Sequence, residues 1–498
     1  MSLVADPRAD ESTSGKATQL SMLLKGIDGD CFTPAHPEWD RARQAWNLAV
    51  EQNPVAVVEP ETAEDVSAVL RAAGMLGLQV APQSTGHGAA SLGDLAGTLV
   101  LRTLRMNQVH IDPDRMIARV GAGVLWRDVV EPAAAMGLAA PAGTSSDVGV
   151  VGYTLGGGIG WLARSHGLAA NSVTAIEVVT ADGTARRLEV PAEGLPGEAD
   201  QNPGDEGSDD TDADLLWALR GGGGDFGVVT ALEFRLYPMT DLYAGSLMWP
   251  SERAGEVLHA WREWVQDLPP SVTTAVRLMR FPPMPELPSH LSGKSLVVVE
   301  AAAQESGRTG TELLAPLRAL GPEIDTFAII AVNALQGLHM DPPEPVPAVG
   351  DGALIRTVSP ELIDALVTAA GPRGEQAAAL LSVELRLLGG ELSTSRGEGG
   401  AIAGFDAEAA LYAVGMTPVL SLEAAVHAGI RTVLSAVGPW RCDTDYLNFA
   451  EEAREPQALF GGALERLRRI HERVDPHGII RSNHPVNREI GSAEGHQP

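Results

Sequence analysis

Cysteine is nearly absent: only Cys31 and Cys442 occur in 498 residues. They stand far apart and lack metal-ligand spacing, which excludes a disulfide framework and a zinc site. Basic residues are scarce too. Lys and Arg number 36 against 65 Asp and Glu, for a formal net charge of -29. A field of that sign repels phosphate backbones and anionic lipid, so neither nucleic acid nor a membrane surface is an expected partner. A phosphate-bearing cofactor is still allowed, because turned backbone N–H groups make a local positive nest inside an acidic protein. No apolar run approaches the ~20 residues of a spanning helix. The opening MSLVADPRADESTSGK has no apolar core of signal-peptide length. The expectation is a cytoplasmic protein of unassigned oligomeric state.

Hydrophobic residues make up 44% and charged residues 20%, enough for large buried cores. The length suits about three domain-sized units of ~150 residues, or one two-lobed enzyme. Residues 1–34 are polar and expected to be flexible. Val55–Val58 reads as a buried strand, Thr62 as an N-cap, and 63–75 as a helix with acids in its first turn. A strand at 78–81 then delivers the chain into Ser84-Thr85-Gly86-His87-Gly88. Further strands are expected at 98–101, 108–111, 116–120, 176–180, 185–190 and 228–236, with a helix over 125–136. Asp182-Gly183 marks a hairpin turn. Residues 191–214 carry nine acids and no Lys or Arg, and read as a disordered acidic insertion. From about 241 to 445 longer strands and amphipathic helices take over, and a helix at 463–474 closes the chain.

Three glycine-dense segments stand out: Ser84–Gly88, Leu155–Gly160 and Arg220–Gly227. Such clusters mean positive φ or close backbone approach, and their N–H groups can cradle a pyrophosphate. Gly222, Gly224 and Gly227 satisfy G-x-G-x-x-G, but a nicotinamide-dinucleotide loop must follow a strand and open a helix. This one follows a helix and opens a strand, so that reading fails.

These segments, in this order, resemble the flavin-binding domain of the vanillyl-alcohol oxidase superfamily, most closely its berberine-bridge-enzyme-like branch. The resemblance rests on Ser84–Gly88, on Pro141–Gly160 with Trp161 and Arg164, and on the 216–238 block LWALRGGGGDFGVVTALEFRLYP. Tyr446-Leu447-Asn448-Phe449 and 466–486 complete it. It implies an α+β fold of two lobes. A PCMH-type FAD-binding domain would span 35–240, and an antiparallel-sheet substrate domain with helices on one face would span 241–445. The segment 446–490 would return to the FAD domain.

The resemblance also implies FAD, bonded at its 8α-methyl carbon to His87. Relatives with a second link carry a cysteine in a G-T-C-x-x-V-G pattern. Here Gly143-Thr144-Ser145-Ser146-Asp147-Val148-Gly149 puts Ser145 there, and a hydroxyl is a far weaker nucleophile than a thiolate, so a single covalent link is expected. Ser84, Thr85, Gly86, Gly88, Gly143, Thr144, Ser145, Gly149, Gly152, Gly157, Gly160, Val229 and Asn483 are the remaining cofactor-binding candidates. Tyr446 is the candidate base, as a phenolate if nearby cations lower its pKa. Glu384 and Arg386 alternate along a strand and so share one face; they contact substrate if that face roofs the flavin, and form a solvated ion pair otherwise. Glu391 is held in reserve. The implied reaction is oxidation of an alcohol, hemiacetal or amine carbon of a small molecule, with oxygen as acceptor. A flavin-dependent oxygenase and a non-catalytic flavin-binding protein remain open as alternatives.

Overall fold

Runs of aliphatic residues too short for helices build the first sheet. The computed structural model describes residues 7–191, 211–285, 287–374, 377–393 and 399–487. Strands β2 (Ala56–Glu59) and β4 (Thr98–Arg102) are buried along their whole length, as strands covered on both faces must be. With β1 (Asp30–Phe32) and β3 (Gln79–Gln83) they form a sheet in the order β1-β2-β4-β3, parallel except for the β1–β2 pair. The helix Ala63–Leu76 bridges β2 and β3. Thr62 and Asp65 cap each other's backbone N–H at its start, and Gly77 ends it in the left-handed region.

A second, fully antiparallel sheet follows, in the order β5-β6-β10-β8-β9. Its strands are β5 (Val109–Asp112), β6 (Ile117–Gly121), β8 (Val173–Val179), β9 (Ala185–Glu189) and β10 (Val228–Arg235). A two-stranded ribbon pairs β7 (Leu138–Ala139) with β11 (Tyr237–Pro238). Gly222, Gly224 and Gly227 do lie between the helix Thr211–Leu219 and β10, the reverse of a dinucleotide loop.

The third sheet has eight strands: β12 (Asp241–Pro250), β13 (Val272–Arg280), β14 (Ser295–Ala303), β15 (Ile324–Asp325), β16 (Ala328–Ala331), β17 (Ala348–Ile355), β18 (Ser382–Leu387) and β19 (Ala409–Met416). The order is β15-β12-β14-β13-β18-β19-β17, with β16 also on β12. Helices 254–264, 360–370 and 420–436 cover one face, where Trp249, Trp261, Leu362 and Val433 join one apolar cluster. The other face is left for the first lobe. The tail returns there: the amide N–H of Val80 donates to the carbonyl of Ile479 (2.7 Å), and that of Arg481 to the carbonyl of Val80 (2.8 Å).

Two expectations need correction. The segment 1–34 is not loose throughout: Pro7–Leu23 is a helix, and β1 follows it. Ala17, Leu20 and Leu24 recur at three- and four-residue spacing, so they share one face, and that face is buried in the cluster under Val66, Val69 and Leu70. The acidic stretch read as a disordered insertion falls at 192–210 outside the described residues. Its last four residues, however, belong to the helix Thr211–Leu219, where Asp212 and Asp214 occupy the first turn, the end that favours negative charge. Asp214 also binds Arg466 (2.8 Å) and Arg473 of the C-terminal helix. Because Leu20 is fully buried, Leu20→Ala should lower stability by about 2–5 kcal/mol. The denaturant midpoint of the full chain checks this, and an unchanged midpoint would mean the N-terminal helix is not docked.

Candidate active site

The histidine loop is shaped by its backbone before any side chain matters. Gly86 has φ +92°, and a side chain there would collide with Gln83 and Ala45. The buried Arg102 guanidinium, on β4, donates to the carbonyls of Ala42 (3.0 Å) and Gln44 (2.5 Å) and to those of Ser84 (3.4 Å) and Thr85 (3.3 Å). The loop is therefore pinned from below. His87 stands above it, with its ring stacked on Trp46 at 4.0 Å and 19°. Thr85 Oγ1 lies 2.7 Å from His87 Nδ1, and Asp147 Oδ1 lies 3.7 Å from Nε2. The Trp46 indole N–H donates to Asp147 Oδ2 at 2.5 Å. Burial pushes the Asp147 carboxyl up, but His87, Trp46 and its own amide outweigh burial and hold it below its ordinary value.

His87 opens onto a cavity of about 500 Å³ between the lobes. Its floor is made by 82–89, 143–145, Val148, Gly149, 151–153, Leu155, Gly156, Gly223, Gly224, Val229 and 482–484. Its roof is the third sheet, where Arg277 and Met279, Ser382, Glu384 and Arg386, and Tyr412, Val414 and Met416 all line the cavity. The lining residues of β13, β18 and β19 alternate along each strand, as the two-residue period demands.

A buried charge network crosses that roof. Glu300 is wholly buried and receives Arg277 Nη2 (2.5 Å) and His339 Nδ1 (2.7 Å). His339 Nε2 lies 3.2 Å from Glu384, and Arg386 Nε donates to Glu384 at 2.6 Å. Burial opposes charge on Glu384, yet Arg386 and His339 hold its carboxyl far below the usual range. Burial and Arg277 disfavour a charged His339, but Glu300, Asp341 and Glu384 prevail and push it up to about 9. The pair Glu384–Arg386 is thus a buried anchor on the cavity wall, not a solvated ion pair.

Tyr446 is buried against Phe405 and Phe449. Its hydroxyl oxygen accepts from the amide of Ile159 (3.0 Å) and from Asn448 Nδ2 (2.9 Å). Burial outweighs these donors and Arg386, and the phenol is pushed up to about 12. A standing phenolate is therefore not what this environment favours.

The structure brings Tyr446, Glu384, Arg386, His87, Ser84, Thr85, Gly86, Gly88, Gly143, Thr144, Ser145, Gly149, Gly152, Val229 and Asn483 to one cavity. Gly157 and Gly160 are not among its lining residues: Gly157 packs under Tyr446 and Leu168, and Gly160 against the carbonyl of Ala142. Gly156 takes their place on the wall. Glu391, on the short turn Gly390–Leu392, does not line the cavity either. Sequence reasoning missed Trp46, Asp147, Arg277, His339, Asp341, Tyr412 and Glu451. Asp341 accepts from Thr144 Oγ1 (3.1 Å) and from Ser145 Oγ, and Tyr412 donates to Glu451. A buried acid inside a glycine-rich stretch was the available signal for Asp147; Trp46 and His339 carry no local one.

A cavity floored by glycine loops and roofed by a polar sheet face defines a two-lobed flavin-binding enzyme. The known proteins agree. A family described as FAD binding domain matches residues 54–189. The (R)-6-hydroxynicotine oxidase of Paenarthrobacter nicotinovorans is 32% identical over 328 residues, 63% of this chain and just under two thirds (66%) of that protein. An uncharacterized FAD-linked oxidoreductase of Bacillus subtilis (strain 168), YvdP, is 30% identical over 65% of this chain and 67% of its own. In fold, Physcomitrella patens BBE-like 1 superposes with a TM-score of 0.78 at 20% identity, over 94% of this chain and all of its own (100%). The chain belongs to the FAD-linked oxidoreductases, and it is an FAD-dependent oxidoreductase.

The raised value at His339 makes stability depend on pH in a definite direction. Its folded value, about 9, lies above the ordinary 6.5, so the stabilisation is complete below about pH 6.5 and is lost as pH rises through about 9. It amounts to about 3 kcal/mol. Denaturant midpoints taken at about pH 6 and about pH 10 should differ accordingly in the parent protein, and His339→Gln should flatten the difference.

Proposed function

We propose that this chain oxidises an alcohol, hemiacetal or amine carbon of a small organic molecule, with FAD held by one bond from His87 and dioxygen as acceptor. Bound FAD supplies the hydride acceptor, its N5 position. The residues present fit that cofactor. Ser84 Oγ and Tyr153 Oη are buried cavity-wall atoms with no hydrogen-bond partner among the described residues, and buried polar atoms call for one. A side chain at Gly86 or Gly149 would also meet the loops that shape the floor. With Ser145 at the second-link position and bound to Asp341, one link is the consistent reading. The relative named as an oxidase supports oxygen as the acceptor.

The observation that carries the reading is the placement of Tyr446. Two N–H groups occupy its oxygen's lone pairs, so its own proton is the one free to be exchanged with a ligand in the cavity. Once deprotonated, Tyr446 would take the proton of a substrate hydroxyl or amine as hydride leaves, its phenolate oxygen being stabilised beforehand by Ile159, Asn448 and Arg386. Glu384 and Arg386, locked to each other, orient the substrate and hold their charges fixed.

Acid precipitation followed by intact mass should show one flavin on the parent protein and none on His87→Ala. Anaerobic addition of alcohols and amines should bleach the bound dye, and failure with every one of them would overturn the oxidase reading. Tyr446→Phe should lower kcat by about 10²–10⁴. Because a base must be deprotonated to act and Tyr446 sits at about 12, kcat should climb with pH through the alkaline range. That climb should vanish in Tyr446→Phe.

A further inference from the structure

We propose that Asp147 is the positioning residue for attachment of the flavin to His87: it orients the imidazole, stabilises its charge and receives its proton as the bond forms. The inference rests on the His87 link proposed above and assigns the group that makes the link possible.

Three contacts define the imidazole's setting. Trp46 stacks on one face of the ring, Thr85 Oγ1 meets Nδ1, and Asp147 faces Nε2 at 3.7 Å. Trp46, Thr85 and His87 line the cavity, but Asp147 does not. It stands behind the histidine, where it cannot touch a bound ring and can act only through the imidazole. The side chain is almost wholly buried at 7% exposure. Its second oxygen is fixed by the Trp46 indole N–H, so the carboxylate cannot swing away. A carboxylate in this position favours the tautomer with its proton on Nε2, leaving the Nδ1 lone pair on the side of Thr85. Carboxylate–imidazole–electrophile is the arrangement that fixes a histidine's orientation and offsets the positive charge it gains on attack.

The step balances as follows. A C–N bond forms between the imidazole and the 8α-carbon, while one C–H bond of that methyl and the imidazole N–H break. Two electrons and two protons leave, and dioxygen, the oxidant, takes up both pairs as hydrogen peroxide. Asp147 receives the imidazole proton and returns it to solvent.

The test uses the full chain, produced in a riboflavin-starved host and then given FAD in air. Two quantities are followed: FAD uptake by fluorescence, and the covalent fraction by intact mass after acid denaturation, the added mass being one FAD less two hydrogens. Asp147→Asn keeps an oxygen for the Trp46 N–H and removes the charge. It should bind FAD like the parent but form the bond about 100-fold more slowly, with a rate that rises with pH as solvent base takes over. Asp147→Glu should recover part of the rate. A parent-like rate in Asp147→Asn would overturn the proposal. So would parallel loss of FAD uptake and bond formation, the signature of a purely structural carboxylate. If the parent protein itself gains no covalent mass, the His87 link fails instead, which separates the two readings.

Discussion

The roof of the cavity depends on a single buried carboxylate. Glu300 sits mid-strand in β14, fully out of water, with Arg277 and His339 on its two oxygens. Removing either partner would leave an uncompensated charge in the protein interior, at a cost of about 3–5 kcal/mol. The consequence runs sideways through the sheet. His339 must stay charged and in place to satisfy Glu300, and its other nitrogen then reaches Glu384. Glu384 in turn holds Arg386, whose Nη1 donates to the Ile159 carbonyl of the first lobe at 3.3 Å. A chain of charge pairing therefore carries the register of the large sheet across the gap between the lobes.

Such an arrangement is possible only because a strand has two faces. On β18, Val383, Leu385 and Leu387 pack into the apolar cluster beneath the helices, while Ser382, Glu384 and Arg386 meet the cavity. The same segment thus serves core and chemistry at once. A slip of one residue in register would bury the charges among leucines and expose the leucines to the site. Fold stability and site geometry are in this sense one constraint.

That period-two pattern was legible in the sequence for Glu384 and Arg386, as were the Thr62 cap, the Asp182-Gly183 turn and the reversed order around Gly222–Gly227. Local chemistry writes these features into neighbouring residues. The N-terminal helix was overlooked because only Ala17, Leu20 and Leu24 mark its buried face, a short signal amid polar residues. Glycine density picked out many of the residues that line the cavity floor but could not separate glycines that touch the cavity from Gly157 and Gly160, which let other parts of the chain pack close. Trp46, His339 and Glu300 were invisible for a deeper reason. Each acquires its role from a partner far off in the chain, Trp46 from a residue 101 positions away and His339 from one 39 positions away, and no local spacing records such a meeting.

The titratable groups around the cavity have been driven in opposite directions, and that division bears on which of them can move a proton. Glu384 is held far below the carboxylate range and His339 is lifted to about 9, so near neutral pH both keep their charges. Groups locked in one protonation state suit orientation and electrostatic support. Tyr446, lifted to about 12, is neutral near pH 7 and becomes a base only when it first gives up its own proton, leaving a phenolate already surrounded by donors. Pairs of groups pushed apart in this way divide the labour of a reaction. In the proposed oxidation the charged pair positions the substrate, and the phenol alone has a proton state left to change.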